Sequence, residues 1–242
     1  MKRLLLLICV FLGVGSATAE DLKISLAEIP HLSYYDKNHK LVGAFPVLLK
    51  LLDEHYAAGN FKLTAFPFGR SINNVIVGKA DAHVPLINTG SDTEQPYQYV
   101  DEPLLTVTFV IYSHMDKPVS KTADLSQLSI DTVIGHQQFF NFPIGEVVDF
   151  QTGLKKVVNK RIDAFIMEQD AGDSLIRLNG YNTLHRAHFR TWDSSIVVAR
   201  NGRGAELNAK LSAAIRNLKA DPRYKDAAHA VHAPFKEWQP HQ

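Results

Sequence analysis

The order in which apolar periodicities follow one another constrains this chain more than any single residue. From Leu22 to Ala27, Leu22, Ile24 and Leu26 alternate with Lys23 and Ser25, the two-residue period of a strand. Phe45, Leu48, Leu49, Leu52 and Tyr56 then recur at helical spacing, with Gly59 just past the end. Residues 61–66 alternate again. Residues 70–77 carry Ile72, Val75 and Ile76 on one side of a short helix, and residues 82–87 form a third strand. A β-α-β-α-β order buries the apolar faces of all five elements only as a parallel sheet covered by helices.

The second half repeats the theme. Residues 130–134 and 164–167 read as strands, with Leu154, Val157 and Val158 marking a helix between them. VIVGKADAHVPLI, at residues 75–87, and VVNKRIDAFIMEQ, at residues 157–169, each run from a helix end through a basic turn to Asp-Ala and an apolar strand. Asp81 and Asp163 hold equivalent places, so two lobes on one plan are expected. Residues 104–112 and 195–199 are β-branched and apolar, and suit strands that carry the chain out of one lobe and back. Leu207, Leu211, Ile215 and Leu218 form one face of a helix, and Asp221-Pro222 opens another. No Pro/Gly/Ser-rich linker separates the halves. The lobes are therefore expected to be discontinuous: lobe 1 from 20–109 and 199–242, lobe 2 from 110–198.

The N-terminus reads as an address. Lys2 and Arg3 precede an apolar run over residues 4–14, and Ala17-Thr18-Ala19 follows as a small-residue cleavage site. Residues 1–19 are the expected signal peptide, and the periplasm the expected location. The run is shorter than the ~20 residues of a spanning helix, and no stop-transfer flank follows to make it an anchor. The single cysteine, Cys9, lies in that run. The mature chain then has no disulfide, thiol nucleophile or cysteine metal site. Lys and Arg number 26 against 25 acidic residues and are scattered, which argues against nucleic acid as a partner. The pairs His185/His188 and His229/His232 have spacing that suits zinc on a helix, but two ligands make no site, and a structural or surface role is expected. No hydrolase, zinc-protease or phosphate-loop motif is present. No catalytic residue, metal or cofactor is expected.

Three segments together resemble a known family. PFGRSINNVIVGKADAHVPL (residues 67–86), DEPLL (residues 101–105) and KRIDAFIME (residues 160–168) resemble, in order and spacing, the amino-acid-binding type of extracellular solute-binding protein, family 3. The resemblance covers nearly the whole mature chain and identifies it as a divergent member. It implies an α/β fold of the two-lobed, type II-like periplasmic kind: each lobe a mainly parallel sheet flanked by helices, joined by two crossover strands that hinge around a ligand. It implies a monomer whose partners are a small-molecule ligand, an amino acid or other small polar solute, and an ABC-type transporter or a membrane sensor. Two departures stand out. Pro96 occupies the place, three residues after Thr93, where such proteins carry an arginine for the ligand carboxylate. A bulky stretch, Gly135-His136-Gln137-Gln138 followed by Phe139, Phe140 and Phe142, replaces their Gly-Thr helix start.

Arg70 leads the candidate ligand-binding residues, because its planar guanidinium suits a carboxylate or phosphate; the alternative is a surface ion pair. The resemblance places Glu168 where an acidic residue meets a ligand amine; the alternative is a solvated charge at a strand end. Tyr34, Tyr35 and Phe68 are candidates for an aromatic wall, or else satellites of the core. Asn88 ends the third strand, His136 lies in the bulky stretch, and Trp192 is expected in a loop before the returning strand. Two other functions stay open. One is a periplasmic enzyme on the same fold, similar to cyclohexadienyl dehydratase, with Glu168, His83 or His136 as general acid or base. The other is a ligand-free interaction module presenting Phe139–Phe142.

Overall fold

The computed structural model describes residues 21–90, 95–200 and 202–242; the expected signal peptide and Thr93 lie outside the described residues. In chain order the elements are β1 (Leu22–Ala27), β2 (Tyr34–Tyr35), β3 (Leu41–Val42), α1 (Ala44–Glu54), β4 (Phe61–Phe66), α2 (Phe68–Ile76), β5 (Ala82–Asn88), β6 (Tyr97–Tyr99), β7 (Leu105–His114), β8 (Ile130–Val133), β9 (Gly145–Val147), α3 (Phe150–Val158), β10 (Ala164–Glu168), α4 (Gln169–Asn179), β11 (Leu184–Ala199), α5 (Gly204–Ala220) and α6 (Tyr224–Val231). Among the described residues no helix is long and apolar enough to cross a membrane.

Eight strands follow one another in the order β4-β1-β5-β11-β7-β10-β8-β9, with β6 joined to β11. The order is close to a mirror about β11 and β7. On one side β1 pairs in parallel with β4 and β5; on the other β8 pairs in parallel with β10 and β9. Among the described residues the sheet joins the two parallel sets through antiparallel pairs: β5 with β11, β11 with β7, and β7 with β10. This is the two-lobed arrangement the sequence leads one to expect.

The repeated Asp-Ala unit has a shared geometry. Asp81 donates its backbone N–H to Lys23 O (2.9 Å) and accepts from Lys23 N through Oδ2 (2.8 Å). Asp163 makes the same pair of bonds with Ser129, at 2.8 and 2.9 Å. In each lobe the aspartate thus locks the start of the returning strand to the first strand of its own parallel set.

Three expectations are corrected. β11 runs sixteen residues from Leu184, not from 195, so Trp192 lies within a strand rather than in a loop. Helix α4 follows β10 directly, where no helix was expected. Asp221 caps the C-terminal end of α5, and α6 begins three residues later at Tyr224. Asp221 is occupied at the junction, accepting from Arg223 N at 2.8 Å and pairing with His55 Nε2 at 3.0 Å.

Beyond α6, which packs on α1, the chain crosses the hinge strands and lies on α4 and β11. Arg186, 2 % exposed, is the anchor. Its Nε donates to Asp173 Oδ1 (2.9 Å), one terminal nitrogen to Gln169 Oε1 (3.0 Å) and the other to Lys236 O (3.0 Å). Its guanidinium carbon lies 4.6 Å from the centre of the Phe235 ring and 5.3 Å from that of Trp238. Gln239 bonds both backbone groups of Arg186, at 2.9 and 2.8 Å. Tyr112 donates to the same Asp173 Oδ1 (2.8 Å), and Gly172 lets α4 lie against that ring, because a Cβ there would come within 2.4 Å of the hydroxyl.

Candidate functional site

A cavity of about 640 Å³ lies between the two parallel sets, within the range of small-molecule sites. The first set contributes Tyr34, Phe45, Phe68 and Pro85, the second His136, Phe139, Phe150 and Glu168. Val107, Phe109 and Ser194 of the crossover strands line it too, as do Val231 and His232 at the end of α6. Most of this wall is apolar.

One contact spans the two sets. Phe68, the first residue of α2, stacks on His136 with centroids 4.0 Å apart and planes 27° from parallel. Phe139 meets Phe68 edge-on at 6.3 Å. Gly135, at φ +92°, brings the backbone so near that a Cβ would lie 3.1 Å from the Phe68 ring. Such ring pairs contribute roughly 0.5–1.5 kcal/mol beyond area burial. They hold the cleft closed at this edge.

The polar groups are few. His136 is buried, and its Nδ1 lies 3.2 Å from Val133 O, so that nitrogen carries the proton and Nε2 is left as an acceptor. Burial lowers its pKa to about 4 and keeps it neutral. His83, at 0 % exposure, lies behind Phe68 and is absent from the cavity wall. Its Nδ1 sits 2.7 Å from Ser71 Oγ, and burial lowers its pKa to about 3. Ser194 Oγ is buried, lines the cavity and has no hydrogen-bond partner.

Glu168 ends β10 and caps α4. Its two oxygens accept from Asp170 N (2.6 Å) and Ala171 N (3.0 Å). Burial pushes its pKa up to about 7, against the pull of His232. His232 Nδ1 lies 2.5 Å from Asp170 Oδ2 and 3.5 Å from Glu168 Oε1. Its Nε2 accepts the Thr108 backbone N–H at 2.8 Å, and an acceptor nitrogen carries no proton. The neighbouring carboxylates favour the charged form of the histidine, against its burial. The Thr108 bond holds it as the neutral Nδ1–H tautomer, because a second proton would face that N–H directly. Glu168, Asp170 and His232 offer one atom each within 4.8 Å of one another, the only such group of potential metal ligands among the described residues.

Of the sequence candidates, Tyr34, Tyr35, Phe68, His136 and Glu168 meet at this cavity. Arg70 does not line it. The side chain is exposed, one position beyond Gly69, and makes no hydrogen bond or ion pair with another described residue. Tyr35 lines the cavity beside Tyr34, with its hydroxyl accepting from Ala65 N (3.1 Å). Asn88 is exposed, and its Oδ1 accepts from Gly90 N (3.0 Å). Trp192 packs edge-on against Phe109 at 5.2 Å, one layer behind the wall. His232 and Ser194 line the cavity without having been singled out as ligand groups. Only the spacing of His229 and His232 drew attention to the first, and nothing in the sequence marks the second. His185 and His188 lie on β11, not on a helix.

No family model and no curated protein sequence matches the chain. Solved structures do. A histidine kinase sensor domain with similarity to periplasmic binding proteins aligns with a TM-score of 0.71 at 15 % identity, over 86 % of this chain and 93 % of that one. The arginine-, lysine-, histidine-binding protein ArtJ from Geobacillus stearothermophilus aligns at 0.70 and 17 %, over 90 % and 97 %. The second VFT domain of Bordetella pertussis BvgS aligns at 0.67 and 14 %, over 87 % and 91 %. At these identities the likeness is one of architecture, and the architecture of this chain is that of the two-lobed periplasmic binding proteins.

Proposed function

We propose that the protein is a periplasmic solute-binding protein. It captures a small molecule between lobe 1 (20–109 and 199–242) and lobe 2 (110–198) and presents it to an ABC-type transporter or a membrane sensor. The observation that carries the reading is the cavity itself: a largely apolar cleft between two lobes, bridged by Phe68 on His136, with polar groups at a few fixed points. Solved proteins of this architecture include the substrate binding protein of an amino acid ABC transporter and a histidine kinase sensor domain, which supports both destinations. The basic start, apolar run and Ala17-Thr18-Ala19 site support export. Tyr34, Tyr35, Phe68, His136 and Glu168 are the proposed ligand contacts, and the protein acts as a monomer.

The test is a melting-temperature screen of purified protein against amino acids, amines, organic acids and sugars. A bound solute raises the melting temperature with its concentration, by mass action on the folded state. A true ligand also closes the lobes, seen as a smaller radius of gyration in solution scattering. A screen of this breadth without a single hit removes the reading.

A further inference from the structure

We propose that the cavity takes an organic cation with an apolar body and no carboxylate, its ammonium group seated against Glu168. The inference rests on the solute-binding reading and names the ligand class.

The charge of the wall is one-sided. Its ionisable acids are Glu28, Asp149 and Glu168, and among the described residues that line it there is no lysine or arginine. An α-carboxylate brought into this space would meet no full positive charge. His136 does not supply one, because its Nδ1 proton goes to Val133 O and Nε2 can only accept. His232 does not either, with Nε2 taken by Thr108 and Nδ1 turned to Asp170. Arg70 stands outside, and Arg186 is spent on Asp173, Gln169 and Lys236.

Negative charge, by contrast, is in excess. Glu168 and Asp170 share one neutral imidazole. The bonds to Glu168 come from backbone N–H groups, which orient the carboxylate without cancelling its charge. A buried charge without a counter-charge is costly, and an arriving ammonium removes that cost. The apolar remainder of the wall, including Phe45, Phe109, Phe139 and Phe150, accepts a hydrocarbon or aromatic body. The start of α2 at Phe68 has no side-chain cap and offers partial positive charge, which an acid-only probe examines separately.

The experiment uses two matched series at pH 8, read by calorimetry and melting temperature. One is 2-phenylethylamine, L-phenylalanine and 3-phenylpropionate; the other is tryptamine, L-tryptophan and indole-3-propionate. The expected result is binding of at least one of the two amines, with its zwitterion and acid partners weaker by tenfold or more. Glu168→Gln keeps an acceptor for the cap and weakens the amine at least tenfold. Glu28→Gln, at an exposed position, weakens it about threefold and keeps the comparison open if E168Q fails to fold. A zwitterion or acid that binds as well as its amine overturns the inference. So does a failure of both amines while the broad screen yields another solute, an outcome that leaves the solute-binding reading standing. If neither the series nor the screen gives a hit, both fall together.

Discussion

The Arg186 clamp grips α4 at Gln169 and Asp173 and the cavity floor at Glu168 caps the same helix, yet they treat buried charge in opposite ways. In the clamp every polar group is answered: Arg186 meets Asp173, Gln169 and a backbone carbonyl, and two aromatic rings cover its faces. At the floor, Glu168 and Asp170 face one neutral imidazole, and Ser194 Oγ has no partner. A fully paired buried charge is a fastening. A buried charge left short of its partner is a vacancy of a defined sign.

The sharpest way to break this contrast is to leave the clamp half-made. Arg186→Ala strands the Asp173 carboxylate in the interior, where loss of one partner costs roughly 3–5 kcal/mol. Urea unfolding followed by circular dichroism should show that loss; a cost under ~1 kcal/mol would mean the clamp fastens nothing.

Acid tests the cavity side instead. His83 and His136 are held by burial near pKa 3 and 4, whereas in the unfolded chain each titrates near 6.5. Between those values the unfolded state binds protons that the folded state refuses, so stability falls as pH drops below 6.5. By pH 4.5 each contributes a loss of roughly 2–3 kcal/mol. Glu168 runs the other way: its raised pKa makes its protonation on acidification favourable to the fold. His136→Phe keeps a ring against Phe68 and removes one of the two losses. Equal acid sensitivity in variant and wild type would show that His136 is not the group refusing the proton.

The smallest effect is expected at Arg70. As an exposed side chain outside both regions, its replacement by alanine should change stability by no more than about 0.5 kcal/mol and leave amine binding within twofold. A tenfold change in binding would bring this residue back to the ligand.

Much of the architecture was legible before any coordinates. The bounds of β1 and β4 follow directly from alternation, and the shared Asp-Ala unit correctly pairs Asp81 with Asp163. What escaped has physical causes. α4 carries only Leu175 and Ile176 as large buried apolar residues, and its core-facing side is filled by Gln169, Gly172 and Asp173, so its periodicity is faint. The first half of β11 alternates in shape but not in polarity, because one of the two residues it buries, Arg186, is an arginine. Arg70 was misplaced by the phase of α2. With the helix starting at Phe68, Ser71 and Ile72 turn inward, and Arg70 lies about 200° round from Phe68. His232 could not be placed, since its partners come from β7 and α4, far away in sequence.

The C-terminal strap has a consequence for observing the protein at work. The chain contains two tryptophans, and both lie within the described residues. Trp192 rests on Phe109 behind the cavity wall, and Trp238 lies with its ring 4.6 Å from the Arg177 guanidinium carbon and near Arg186. Cations close to an indole alter its emission. The molecule therefore carries two native fluorophores, one beside the ligand space and one on the strap, and a Trp192→Phe variant would isolate the second as a label-free gauge of opening and closing.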